Sequence, residues 1–381
     1  MSDELETPRD DESISALLGE RVAVGDFASA VYLVTQGGCV LMSSALGDAV
    51  REPERRAATL DTIYDLASLT KPLVTGLLTA LLNERGALNQ HERVAHYLPE
   101  FARSDKTTIT IRHLLTHTSG LAAWRPLYVI TGGERERALE VIAAEPLESS
   151  PGARVTYSDL GFITLGFLIE RITSASLAEV ARAEIFGPLN LKRTFFNPSE
   201  TLRTEIAACE SAGNAYERDT CRDDSSAFDS RHWRDYPIWG EVHDGNAFFL
   251  GGSAGHAGLF STAHEVLRLA EQFITGRTSL LKRETCELFR TNMTESLNEA
   301  RSWAWQLAMT KDSTAGGALP PESFGHLGFT GTSCWIDAAR ERVYILLTNR
   351  THARPLPFVN INSVRRQFHT LASTVLDRKP E

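Results

Sequence analysis

Tyr64-Asp65-Leu66-Ala67-Ser68-Leu69-Thr70-Lys71-Pro72 reads as a short strand or turn running straight into a helix. Ser68 falls at the helix start and Lys71 one turn later. Residues three apart on a helix share a face, so the two side chains can meet. A serine hydroxyl is a weak nucleophile until a base takes its proton. A lysine amine whose pKa is lowered by burial or a cationic neighbour can be that base. The helix N-terminus adds free N–H groups where an oxyanion can be held. Pro72 fits the first turn, where its missing N–H removes no helical bond.

The spacing Ser-x-x-Lys is not specific on its own, since Ser279-Leu280-Leu281-Lys282 repeats it. The later motifs of the chain separate the two. Tyr157-Ser158-Asp159 and His326-Leu327-Gly328 come after Ser68 in the order found in penicillin-recognising serine enzymes, and Ser279 has no such sequel. On these blocks the chain resembles the β-lactamase and penicillin-binding-protein superfamily, in its branch of class C β-lactamases, D,D-carboxypeptidases and related esterases. Further carriers are Arg112-His113-Leu114-Leu115-Thr116-His117-Thr118-Ser119-Gly120-Leu121, Gly240-Glu241-Val242-His243-Asp244 and Gly255-His256-Ala257-Gly258-Leu259-Phe260-Ser261-Thr262. The resemblance runs from about residue 13 to 375 and is similar in its later blocks to a bacterial penicillin-binding-like subgroup.

A chain of 381 residues, 42% hydrophobic and 23% charged, can bury one large or two medium cores. Its net charge of -10 argues against nucleic acid or an anionic membrane surface as partner. No apolar run approaches the roughly 20 residues that span a bilayer. Residues 1–12 are acidic and polar, read as a disordered tail with no basic or apolar segment of a signal peptide, and this places the protein in the cytoplasm. The five cysteines are widely spaced and fit reduced, mostly buried thiols, with a Cys209–Cys221 disulfide as the alternative.

A first helix is expected over 13–24. The β-rich runs 30–36 and 39–44 flank Gly37-Gly38, a hairpin signal. Helices are expected over 73–82, at the end of 105–117, and over 134–145, 160–172, 177–185 and 267–275. Residues 203–240 read as a long loop. Strands are expected over 324–329, 333–337 and 343–348, and Val359, Ile361, Val364, Phe368, Leu371 and Val375 give a final amphipathic helix. The resemblance implies an α+β, β-lactamase/transpeptidase-like fold. Residues 13–72 and 250–381 would share an antiparallel sheet flanked by terminal helices, with a mainly helical domain, 73–249, inserted and the active site at the junction.

The resemblance also assigns roles. Ser68 is the nucleophile, Lys71 its base or proton relay, and Tyr157 shares that work as a phenolate stabilised by Lys71. The backbone N–H groups of Ser68 and Phe329 form the oxyanion hole. Asp159 stands where asparagine is commoner; it cannot donate to a substrate carbonyl as an amide does, and can pair with Lys71 instead. His326 replaces a lysine and would be only partly charged at neutral pH, which weakens recognition of a substrate carboxylate. Gly328 lets the substrate backbone approach the strand edge. No cofactor and no metal is expected. The substrate is a small ester, peptide or β-lactam, with a true β-lactamase or a catalytically silent scaffold as alternatives; the oligomeric state stays open.

Two rival sites compete. Gly251-Gly252-Ser253-Ala254-Gly255 matches G-x-S-x-G, but lacks a convincing strand before it and helix after it, and reads as a structural turn. His113 and His117 are four apart, yet Leu114 stands where a zinc protease has glutamate. With His243, Asp244 and His256, they read as structural residues rather than ligands.

Overall fold

The computed structural model describes residues 10–102, 104–221 and 233–378. Gly37 and Gly38, at φ +57° and +80°, turn the chain in two residues. A type I′ turn, with both central φ positive, matches the twist of the strands it joins. Strand β1 (Ser29–Gln36) therefore folds back on β2 (Cys39–Val50), with Gln36 opposite Cys39. β2 runs on past the expected end at Ser44, and short β3 (Arg56–Ala57) closes that edge. β4 (Tyr64–Asp65) leaves this sheet and pairs with β5 (Phe260–Ser261).

The remaining strands come late: β6 (Gln306–Leu307), β7 (Phe324–Leu327), β8 (Ser333–Asp337) and β9 (Arg342–Thr348). They join the first three in one seven-stranded sheet of order β3-β2-β1-β9-β8-β7-β6. N- and C-terminal segments meet where β1 lies antiparallel to β9, Ala30 opposite Thr348. Side chains alternate along a strand. Ala30, Tyr32 and Val34 pack with Leu346 and Tyr344 under the helices Glu12–Ala23 and Asn362–Asp377. Val31 and Leu33 point the other way, into a cluster that also takes Leu81, Leu160 and Phe162. Both faces are covered, so β1 is a continuous buried run with one exposed end.

The first helix starts at Glu12 because the Asp11 carboxylate accepts the amides of Ser13 and Ile14, both at 3.1 Å. Residues 10–12 thus belong to the fold rather than to a tail, and residues 1–9 lie outside the described ones. The helix expected over 267–275 begins instead at Ala263 and ends at Ala270, followed by a 3₁₀ turn over Glu271–Phe273. Thr262 caps it through the amide of Glu265. The loop expected over 203–240 contains a helix, Ala215–Thr220; residues 222–232 lie outside the described ones. Between β4 and β5 the described residues form helices, turns and irregular segments only. The buried cluster is continuous from these helices into the sheet. No described helix is by itself long and apolar enough to cross a membrane. No disulfide joins any of the five cysteines, Cys209 and Cys221 included; Cys39 alone is exposed.

One buried histidine lets pH report on this packing. His369, on the inner face of the last helix, donates through Nδ1 to Thr314 O at 2.6 Å and lies against Trp335. Burial holds its pKa near 3, below the ordinary 6.5. The folded state keeps this ring neutral while the unfolded chain protonates it below pH 6.5, so its stability contribution falls as pH drops from 6.5 toward 3. Between pH 7.5 and 5 the loss from this residue is about 2 kcal/mol. Denaturant unfolding of the wild type and His369→Gln at both pH values checks it: the variant's difference between the two pH values should be smaller by about that amount.

Candidate active site

The Ser68 turn is held on all sides. Ala67, just before it, sits at φ +47°, a strained conformation for a residue with a Cβ. Asp65 is buried and bonds twice: Oδ1 accepts the Ala67 amide at 2.8 Å and Oδ2 that of His243 at 2.7 Å. Thr70 Oγ1 donates to Ala67 O at 2.6 Å. From the far end of the chain, Thr330 and Thr332 donate to the carbonyls of Asp65 (2.7 Å) and Leu66 (3.0 Å). Ser68 is the middle residue of a 3₁₀ turn, Ala67–Leu69, that widens over Lys71–Gly76 and becomes an α-helix only at Leu77.

Lys71 is fully buried. Its Nζ lies 2.9 Å from Ser68 Oγ, 3.1 Å from His256 O and 2.7 Å from Asp159 Oδ1, the last as an ion pair. The Tyr157 phenol interacts with both Ser68 and Lys71, and the Lys71 nitrogen stands 4.9 Å from its ring centre. Ser158 caps the helix Asp159–Thr173 by accepting the Gly161 amide, which places Asp159 in the first helical turn facing Lys71.

Charge in this cluster departs from the sequence expectation. Burial alone would lower the Lys71 pKa, but Asp159 and then Tyr157 outweigh it and the net shift is upward. Burial raises the Tyr157 phenol, and Lys71 offsets this only in part. The resting pair is therefore ammonium and neutral phenol, not free amine or phenolate. His326 also differs: burial, followed by the charges of Lys71 and Arg301, takes it well below the usual histidine value. It is neutral at physiological pH rather than partly charged.

Gly328 also meets a constraint within the protein. A Cβ there would stand 2.0 Å from Thr332 Oγ1 and 2.5 Å from Leu66 O. The glycine lets the end of β7 close on the segment that carries Ser68. Phe329 comes next, its carbonyl accepting from Arg350 Nε at 2.6 Å. Its ring packs on His243 and Tyr216.

These residues border a cavity of about 510 Å³ that brings together Ser68, Tyr157, Asp159, His326, Gly328 and Phe329. Sequence reasoning missed most of its other walls. Arg301, Arg350 and Arg365 line it, as do Tyr216 and Glu217 from the helix Ala215–Thr220. Arg365 donates to the carbonyls of Gly328 (2.7 Å) and Thr332 (2.9 Å). Burial and Asp244 push the Glu217 carboxyl up to about 7. Its oxygens take Tyr128 Oη at 2.6 Å and the Gly245 amide at 2.8 Å.

Neither rival serine lines this cavity. Ser253 lies in a glycine turn beside Leu250 and Gly166, outside the cavity. Ser279 is tied through its amide to Gln272, away from Ser68. His113 closes a capping box with Thr110. His243 pairs with Glu210 at 3.0 Å and His256 with Asp244 at 2.8 Å, two separate contacts rather than one ligand set. Among the described residues no group of three or more His, Cys, Asp or Glu side chains is arranged to hold a metal ion.

The fold agrees with what the chain is similar to. The family model described as Beta-lactamase matches residues 14–364, and the chain belongs to that family of serine hydrolases. A protein of Escherichia coli (strain K12), provisionally named a D-alanyl-D-alanine carboxypeptidase, is 34% identical over 315 residues, covering 78% of this chain and 71% of its own. Among solved structures, EstCE1, described as a hydrolase with promiscuous acyltransferase activity, superposes with a TM-score of 0.72 at 21% identity, over 94% of this chain and 97% of its own. A class C β-lactamase from Rhodobacter sphaeroides does so at 0.70 and 18%, over 96% and 100%. At those identities the two structures speak for the fold alone.

Proposed function

We propose that this serine hydrolase works through an acyl-enzyme on Ser68, and that its substrates are small esters or D-amino-acid peptides and amides, with weak or no turnover of β-lactams. The observation that carries the reading is the Ser68–Lys71–Tyr157 contact at the edge of the cavity. Once the Lys71–Tyr157 pair has given one proton to solvent, Ser68 attacks the acyl carbon as its own proton passes to that pair. The alcohol or amine leaves with a proton from that pair, and water then releases the acid by the reverse route. The Ser68 and Phe329 amides are assigned to the oxyanion. The provisional name of the Escherichia coli relative favours D-amino-acid peptides.

Against β-lactams stand Asp159 and His326. A carboxylate at 159 cannot donate to an acyl-amide carbonyl, and a neutral imidazole at 326 adds no charge for a substrate carboxylate. The test is kcat/KM for p-nitrophenyl butyrate, a D-alanyl-D-alanine peptide and nitrocefin. The ester or peptide should be turned over faster than nitrocefin. A wild type that hydrolyses nitrocefin far better than both would make the protein a β-lactamase instead.

A further inference from the structure

His117 is not used by the chemistry above, yet it touches every residue of the tripeptide that carries Tyr157. It comes just after the short helix Ile111–Leu115, at φ +58°, a left-handed conformation that histidine, asparagine and aspartate adopt more readily than most residues. That bend turns three of its groups toward residues 156–158. Its carbonyl accepts the Thr156 amide at 2.8 Å. Its ring Nδ1 accepts the Ser158 amide at 3.0 Å. Its ring plane leans on Tyr157, with centroids 4.6 Å apart, and on Phe162 behind it at 5.0 Å.

Tyr157 is thus tethered by its two chain neighbours and by its own ring, all to one residue. An acceptor Nδ1 carries no proton, so the ring is the neutral Nε2–H tautomer. Its setting keeps it so. It is buried, and burial, with Arg301, Lys71 and His326 facing it, holds its pKa well below that of an ordinary histidine. Protonation would set an N–H at Nδ1 against the Ser158 N–H and break the tether.

We propose that His117 is the positioning residue of Tyr157, a clamp that fixes the phenol so that its hydroxyl stays on Ser68 and Lys71. The inference rests on the role given to Tyr157 above. His117→Gly removes the ring tether while suiting the left-handed backbone. His117→Asn places Oδ1 where Nδ1 stands and also suits that backbone, so it should restore the Ser158 contact. Leu114→Ala, buried in the helix just before His117, reports what stability loss alone does.

The measurements are the rate of fluorophosphonate labelling at Ser68, kcat and KM for p-nitrophenyl butyrate across pH, and the thermal midpoint of each variant. His117→Gly should lose on the order of 10²-fold in labelling rate and kcat. Its KM should change little, and the pH limb of the Lys71–Tyr157 pair should move. His117→Asn should recover most of the rate and the wild-type limb. If the glycine variant does not fold, His117→Ala makes the same comparison. Equal losses in the glycine and asparagine variants, no loss in either, or an equal loss in Leu114→Ala at matched stability would overturn the clamp alone. A wild type that does not label at Ser68 would overturn the hydrolase reading and the clamp with it.

Discussion

Ser68→Ala should lower kcat for the best ester by on the order of 10⁴- to 10⁶-fold while leaving the fold intact. The size comes from covalent chemistry: without the hydroxyl no acyl-enzyme forms, and what remains is binding plus the oxyanion donors. The intact fold comes from the local bonds. The turn is pinned by Asp65, Thr70, Thr330 and Thr332 through backbone groups on either side of Ser68, and none of those bonds uses its hydroxyl. Mass spectrometry after fluorophosphonate treatment should place one adduct on Ser68 in the wild type and none in the variant. An adduct on Ser253 or Ser279, or a variant that keeps its turnover, would move the nucleophile elsewhere.

Features that lie close along the chain, or repeat with a period, are legible in the sequence. Ser68 and Lys71 are one helical turn apart. Gly37-Gly38 signals its hairpin, and the strand pattern near the C-terminus is regular. The sheet's order is implied only by the family resemblance, because the β1–β9 pairing joins segments with no local signal for each other. The other cavity walls are hidden for the same reason. Arg301, Arg350 and Arg365 are single residues without a motif, and Glu217 and Tyr216 sit in a polar stretch that reads as loop. Thr262 and Glu265 do carry a capping signal, three residues apart, and it moves the helix start to Ala263. Protonation states are hard to read for another reason. At Lys71 the effect of burial is reversed by the carboxylate beside it, and at His326 the burial itself leaves no mark in the sequence.

Asp159→Asn should make the enzyme faster on a neutral ester at neutral pH, contrary to the loss usual when a buried ion pair is cut. The reason is electrostatic. In the resting site Lys71 donates toward Ser68 and cannot accept its proton until the Lys71–Tyr157 pair has given one up. The Asp159 carboxylate, 2.7 Å from Nζ, opposes that loss at both groups: its charge raises Lys71 against the effect of burial, and adds to burial in raising Tyr157. An asparagine keeps the shape and removes the charge. Burial then dominates at Lys71 and lowers its pKa. The two groups titrate together, so the pH profile of kcat/KM reports the pair, and its rising limb should move down by at least about one pH unit. Below the limb this is roughly a tenfold gain, since the active fraction rises tenfold per unit. Stability should fall by up to about 3–5 kcal/mol, less whatever is recovered as the lysine sheds its proton. The check is kcat/KM for p-nitrophenyl butyrate across pH in both proteins, with a D-amino-acid amide measured alongside. A limb that stays or moves up shows that Asp159 does not set the pair's proton affinity. A gain on the amide without one on the ester shows that the asparagine acts by donating to the acyl amide, and the electrostatic account fails.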